Sequence, residues 1–285
     1  MGRLSQLLRR VTATEAPPLG FGVTAHRPRA TMLLLARVAG DASSLPGHLS
    51  KGAADALLVE AEVAGRLAKE LRDLGDLPWG ALVPAAAGGG IEALREAGAD
   101  FLVFDPARSE ASVLLEEGMD LVAVADPEAS DTDLRLLESL PLAALLAPAP
   151  SLPLTVGGRL ALQRLSALSR LPLLVPVPAG ADGALLRLLR DAGAAAVVVD
   201  GATGADALAA LREAIEKLPP RARRREERLE PLVPSSLLPR PGGEEEEEEA
   251  LRGRSSARST PAHRPAPVAA PTGPPPAHLD VEVRF

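Results

Sequence analysis

Cysteine is absent from the 285 residues, and so is tyrosine. The first absence excludes disulfides, thiolate metal sites, iron–sulfur ligation and a cysteine nucleophile. The second excludes phenolic acid–base chemistry. Aromatic residues make up only 2% of the chain against 46% apolar residues, so a core must be assembled from leucine, alanine and valine. Lysine occurs only at positions 51, 69 and 217, and arginine carries nearly all the positive charge. Long apolar runs are missing as well. Residues 1–11 set Arg3, Arg9 and Arg10 among Leu4, Leu7, Leu8 and Val11, too interrupted for a signal peptide or a membrane span. That spacing predicts a short helix packed on the rest of the fold, with a membrane-surface helix as the alternative. The chain reads as cytoplasmic.

Charge separates the chain into regions. Residues 221–285 hold 11 arginines and 11 acids, so the formal charge of −7 belongs to residues 1–220. An acidic globular part repels phosphate backbones, which argues against nucleic acid as its partner. The last quarter is too rich in proline and charge to join a core. It mixes arginine and glutamate at 221–228, runs six glutamates at 244–249 and is proline-rich at 261–276. Its final residues, 279–285, alternate apolar and charged side chains as a strand added to a partner protein's sheet would. The expected organisation is an N-terminal helix and lead-in at 1–30, one domain at 31–218 and a disordered tail at 219–285.

What the chain does have is a repeat. Residues 98–105 (GADFLVFD), 118–126 (GMDLVAVAD), 193–200 (GAAAVVVD) and 52–60 (GAADALLVE) share one cadence. A glycine follows a helical pattern, where a residue at positive φ ends the helix cheaply. A short run apolar on both faces comes next, as buried parallel strands require, and it ends on an acid. Extending the cadence predicts strands at 32–38, 56–60, 80–83, 101–105, 121–126, 143–147, 173–177 and 196–200. Helical patterns stand between them, clearest at 63–74, 160–168, 184–191 and 205–217. Eight such units match a small α/β (βα)8 barrel, TIM-like, carrying the disordered C-terminal tail. The first connection, with Pro46 and Gly47, makes a poor helix, which keeps an open doubly wound sheet as the alternative.

The glycine–alanine–aspartate cadence, with residues 191–201 (DAGAAAVVVDG) near its end, resembles the aldolase-type, phosphate-binding TIM barrels over most of residues 31–218. The resemblance implies a lyase or isomerase acting on a phosphorylated or otherwise anionic small metabolite. It also implies a phosphate held by backbone amides after strands 7 and 8, here at 179–183 and 201–204, with Gly180, Gly183, Gly201 and Gly204. One departure is plain: no candidate strand carries a lysine, so a Schiff-base mechanism has no nucleophile.

Barrel active sites lie at the C-terminal ends of the strands, where Glu60, Asp105, Asp126 and Asp200 would converge with Arg37. Four carboxylates at one mouth can bind Mg²⁺ or divide acid and base roles. Asp105 and Asp126 precede prolines and equally suit helix starts; Glu60 and Asp200 do not, and are the better catalytic candidates. Arg37 lies within an apolar strand and should pair with Glu60, as a structural ion pair or a substrate clamp. His26 and His48 have no metal-ligand spacing; His48 reads as a general base or as an ordinary loop histidine. The glycines at 88–90 and at 157–158 read as flexible loops or as anion-binding helix starts. The rival to an enzyme is a non-catalytic scaffold or ligand sensor whose tail engages a partner.

Overall fold

The computed structural model describes residues 2–12, 31–40, 45–49 and 52–219. The readings of the tail beyond Pro219 and of His26 lie outside these residues. Eight strands run in chain order: β1 (Leu33–Val38), β2 (Ala56–Glu60), β3 (Trp79–Val83), β4 (Phe101–Phe104), β5 (Asp120–Val124), β6 (Leu142–Leu146), β7 (Leu173–Pro176) and β8 (Ala194–Asp200). Each pairs in parallel with the next, and β8 closes on β1 with Leu33 opposite Ala196 and Arg37 opposite Asp200. That last pairing rules out the open sheet.

The helices are α1 (Arg3–Thr12), α2 (Ala61–Arg66), α3 (Ala68–Arg72), α4 (Gly88–Glu96), α5 (Asp131–Leu136), α6 (Val156–Ser169), α7 (Gly183–Asp191) and α8 (Ala205–Glu216). The single helix expected at 63–74 is two, broken at Leu67, whose backbone leaves helical geometry at φ −98° and ψ 12°. Only a short 3-10 turn, Ala111–Leu115, connects β4 to β5. The described part of the β1–β2 connection holds turns, as Pro46 and Gly47 suggest.

The repeat's glycine works as expected. Gly98 ends α4 at φ +92°, and Gly193 ends α7 at φ +111°, where an added Cβ would also collide with the Ser166 hydroxyl. The repeat's first aspartate has a role the sequence did not suggest. Asp55 reaches back to accept the Leu34 amide at 2.8 Å, and Asp100 accepts the Trp79 amide at 3.1 Å. Each bolts the start of its own strand to the preceding one. Burial pushes the Asp100 carboxyl above its ordinary value, against the Trp79 amide and Arg3, which favour its charge.

Two apolar layers result. The outer one lies between strands and helices and includes the buried Trp79. The inner one fills the barrel with Leu33, Leu35, Leu58, Phe101, Val103, Val122, Leu174 and Val198, together with the small Ala56, Ala144, Ala195 and Ala196. Phe101 has room only because position 80 is glycine; a Cβ there would strike its ring. Leu4 and Leu8 of α1, 0% and 2% exposed, belong to this inner layer. The predicted packed N-terminal helix is therefore a stopper: its apolar face closes the barrel, and Asp120 at the first position of β5 holds its N-terminal end.

Candidate functional site

Alternation along the strands decides what faces the mouth. Leu35 and Leu58 point into the barrel, so Arg37 and Glu60, two residues further on, line its C-terminal end. The two form an ion pair, Arg37 Nη2 to Glu60 Oε1, at 2.6 Å. Glu60 Oε2 also accepts the Gly40 amide at 3.2 Å, and Arg66 donates to the Gly40 carbonyl at 2.7 Å. The hydrogen bond from Arg37 holds the Glu60 carboxyl below its ordinary value, against burial, with help from the Gly40 amide.

The pair is open to solvent: the Arg37 side chain is 48% accessible and that of Glu60 31%. Water screens such a pair. A lowered folded-state pKa gives stability that is present above the unfolded value of 4.5 and lost as pH falls through the folded one. Glu60→Gln is therefore expected to cost about 1 kcal/mol or less at pH 7 and to erase that share of the acid-limb slope, as urea melts from pH 7 to pH 3 would show.

Asp105, Asp126 and Asp200 stand at or just past the ends of β4, β5 and β8 with one shared arrangement. Each Oδ1 accepts the amide two residues on, Ala107, Glu128 and Ala202 in turn, all at 2.9 Å. These are Asx turns, which start the loops rather than cap helices. The cap of α5 is instead Ser130, accepting from Asp133 at 3.1 Å. Among the described residues no three acids or histidines gather closely enough to hold a metal ion.

The two loops marked for phosphate differ. After β8, the Gly201 amide donates to the Arg37 carbonyl at 2.7 Å. A Cβ at 201 would lie 2.8 Å from that oxygen and 3.1 Å from Leu49 Cδ1, so only glycine fits. Helix α8 then begins at Gly204, which offers no side-chain cap and has nothing within 4 Å of where its Cβ would be. After β7, by contrast, Asp182 caps α7 by accepting the Leu185 amide at 2.8 Å. A carboxylate already occupies that helix start. Gly180 and Gly183 are open around their Cβ positions.

His48 sits on the turn before Leu49, the residue that leans against Gly201; its Nε2 is buried and has no hydrogen-bond partner. The glycines at 88–90 are the first turn of α4 rather than a loop. A concavity of about 470 Å³ lies between α7 and α8, lined by Ala184, Arg187, Ala210, Glu213 and Lys217 among others. It is on the outer helical face, with Lys217 paired to Glu213 at 2.6 Å, and it takes in none of the mouth acids. The residues missed in the sequence are Asp55, Asp100 and Asp120. Their signal was the fixed aspartate at the head of the repeat, which was read as part of the strand cadence alone.

No family model matches the chain, and no curated protein matches it in sequence. Solved structures do. The 3-keto-L-gulonate-6-phosphate decarboxylase of Vibrio cholerae O1 biovar El Tor str. N16961 aligns over 66% of this chain and 99% of its own, with a TM-score of 0.54 and 16% identity. A 3-hexulose-6-phosphate synthase aligns over 64% and 99%, with a TM-score of 0.49 and 19% identity. A tryptophan synthase alpha-subunit from Pyrococcus furiosus covers 65% and 97%, with a TM-score of 0.44 and 17% identity. The resemblance carried by the repeat is thus met at the level of the fold: the chain is a TIM-like (βα)8 barrel, the architecture it shares with the Vibrio cholerae decarboxylase.

Proposed function

We propose that this barrel binds a phosphorylated small metabolite at its C-terminal mouth, with the phosphate on the amides that open α8. The observation that carries the reading is the contrast between the two helix starts. The α8 start has an uncapped Gly204 in open space, with Asp206 the acid of its first turn, whereas the Asp182 carboxylate caps the α7 start itself. Free amides and the helix dipole favour an anion at the first and not the second. Arg37, one strand away and in register with Asp200, supplies a cation at the same rim. Lyase or isomerase chemistry is the extension that the fold resemblance supports, in the cytoplasmic setting expected from the sequence. In it Asp200 and Glu60 are the acid–base candidates, with Asp105, Asp126 and His48 behind them.

The test uses one substitution with opposite expected signs. Gly204→Asp adds an N-cap that helix α8 lacks, so the melting temperature should hold or rise. The same carboxylate repels phosphate, so the upward shift in melting temperature given by inorganic phosphate or sugar phosphates should vanish. A shift that survives Gly204→Asp places the anion elsewhere.

A second reading, a non-catalytic ligand sensor, is favoured by one specific observation. Among the described residues Arg37 is paired with Glu60, and Asp105, Asp126 and Asp200 each have Oδ1 engaged by a loop amide. A phosphate-dependent shift without turnover of any sugar phosphate, followed by NMR, supports the sensor. Turnover that is lost in Asp200→Asn supports the enzyme.

A further inference from the structure

The Asp120 carboxylate departs from the repeat it belongs to. Asp55 and Asp100 each accept the amide of a preceding strand, but Asp120 turns to α1. Its Oδ1 accepts the Gly2 amide at 2.9 Å and the Ser5 hydroxyl at 2.6 Å; its Oδ2 accepts the Ser5 amide at 2.7 Å. Asp120 is 7% exposed. A buried carboxylate on the free amides of a helix start is a strong, directional hold. Position 2 fits it tightly, since a Cβ at Gly2 would collide with the carboxylate and lie 2.8 Å from Oδ1. Arg3 adds a weaker anchor, at 3.3 Å from Asp76 and 3.8 Å from Asp100.

The seat and the mouth share one packed layer. The inner cluster that buries Leu4 and Leu8 is the cluster against which Leu82, Val124 and Leu146 pack, and these three lie toward the C-terminal ends of β3, β5 and β6. Four of its twelve strand residues are alanine, and α1 adds Leu4 and Leu8 to the same close-packed layer. We propose that α1 is a stopper whose seating on Asp120 sets the rigidity of the mouth at the opposite end of the barrel. Seated, it holds the inner layer at full density; unseated, it leaves a void beneath the side chains that support the mouth. The consequence for ligand affinity rests on the phosphate reading above, while the consequence for rigidity does not.

The experiment takes the full chain and unseats α1 in two ways. Gly2→Val drives the carboxylate aside, and Asp120→Asn removes its charge while keeping its shape. Amide hydrogen exchange then reads three places: the α1 amides, the mouth amides of Gly201, Ala125 and Ala147, and the Leu165 amide of α6 in the outer layer as reference. Faster α1 exchange reports unseating. The expected result is a rise in mouth exchange at least tenfold above any rise at Leu165, with Gly2→Val and Asp120→Asn alike. Loss of α1 protection with mouth and reference amides moving together, or not at all, overturns the proposal. Retained α1 protection in both variants overturns it too, because the seat would then not depend on Asp120. In parallel, titration with inorganic phosphate should show weaker binding in both variants. Absence of binding by the wild-type protein would sink the phosphate reading and leave the exchange result to decide this one.

Discussion

Leu8→Ala is expected to destabilise the protein by about 3 kcal/mol, although the residue lies on a ten-residue helix near the chain's start. Leu8 is 2% exposed and packs within the barrel's inner layer. Truncating it removes buried methyl groups and leaves a cavity whose walls are strands in a closed ladder, which cannot collapse inward. For a domain of this size the loss corresponds to a fall of about 10 °C in melting temperature. Leu4→Ala should behave in the same way, while Arg10→Ala on the exposed face should change stability by about 0.5 kcal/mol at most. Thermal and urea melts of the three variants check the ranking. A loss of under about 1 kcal/mol for both leucines would mean that α1 rests on the barrel without filling it.

The second large effect lies at the other end. Gly201→Val is expected to cost about 3 kcal/mol and to remove any response to phosphate. The new Cβ meets the Arg37 carbonyl oxygen, a backbone atom that is itself fixed in the β1–β8 ladder and bonded to the Gly201 amide. Neither side can yield without breaking that bond. Gly204, three residues on, is the contrast: nothing lies within 4 Å of where its Cβ would be, so side chains are tolerated there and their charge is what matters. Melts of Gly201→Val and Gly204→Asp, with and without phosphate, separate a steric glycine from an open one. Equal stability in the two variants would show that the β8 loop can move away from β1.

Much of the fold could be read from the residues, for a physical reason. Buried parallel strands need apolar side chains on both faces, and a helix ending before such a strand needs a residue at positive φ. The repeat at 52–60, 98–105, 118–126 and 193–200 carries both signals, and the strands fall within a residue or two of the expected positions. Closure was harder to read because it depends on β8 meeting β1, a pairing between the two ends of the domain that no local pattern encodes. The pairing of Arg37 with Glu60 was legible, since a charge inside an apolar run needs a neighbour of opposite sign. Its exposure was not, because the alternation does not say how open the mouth is. Asp105 and Asp126 were read as mouth acids or helix starts, not as the Asx turns they form. An Asp-Pro pair suits a helix start and an Asx turn alike, and the difference lies in whether a helix follows. The seat of α1 was out of reach because Asp120 occupies the same place in the repeat as Asp100, and only the packing shows that it serves another element.

With one tryptophan and no tyrosine in the chain, the molecule carries a single bright fluorophore, and it sits at the first residue of β3. Trp79 is 2% exposed and its amide is tied to Asp100, whose carboxyl also neighbours Arg3 of α1. Emission from this protein therefore samples one corner of the barrel, the corner where the strand locks and the stopper meet. It is blind to the mouth, where a ligand would be expected to act.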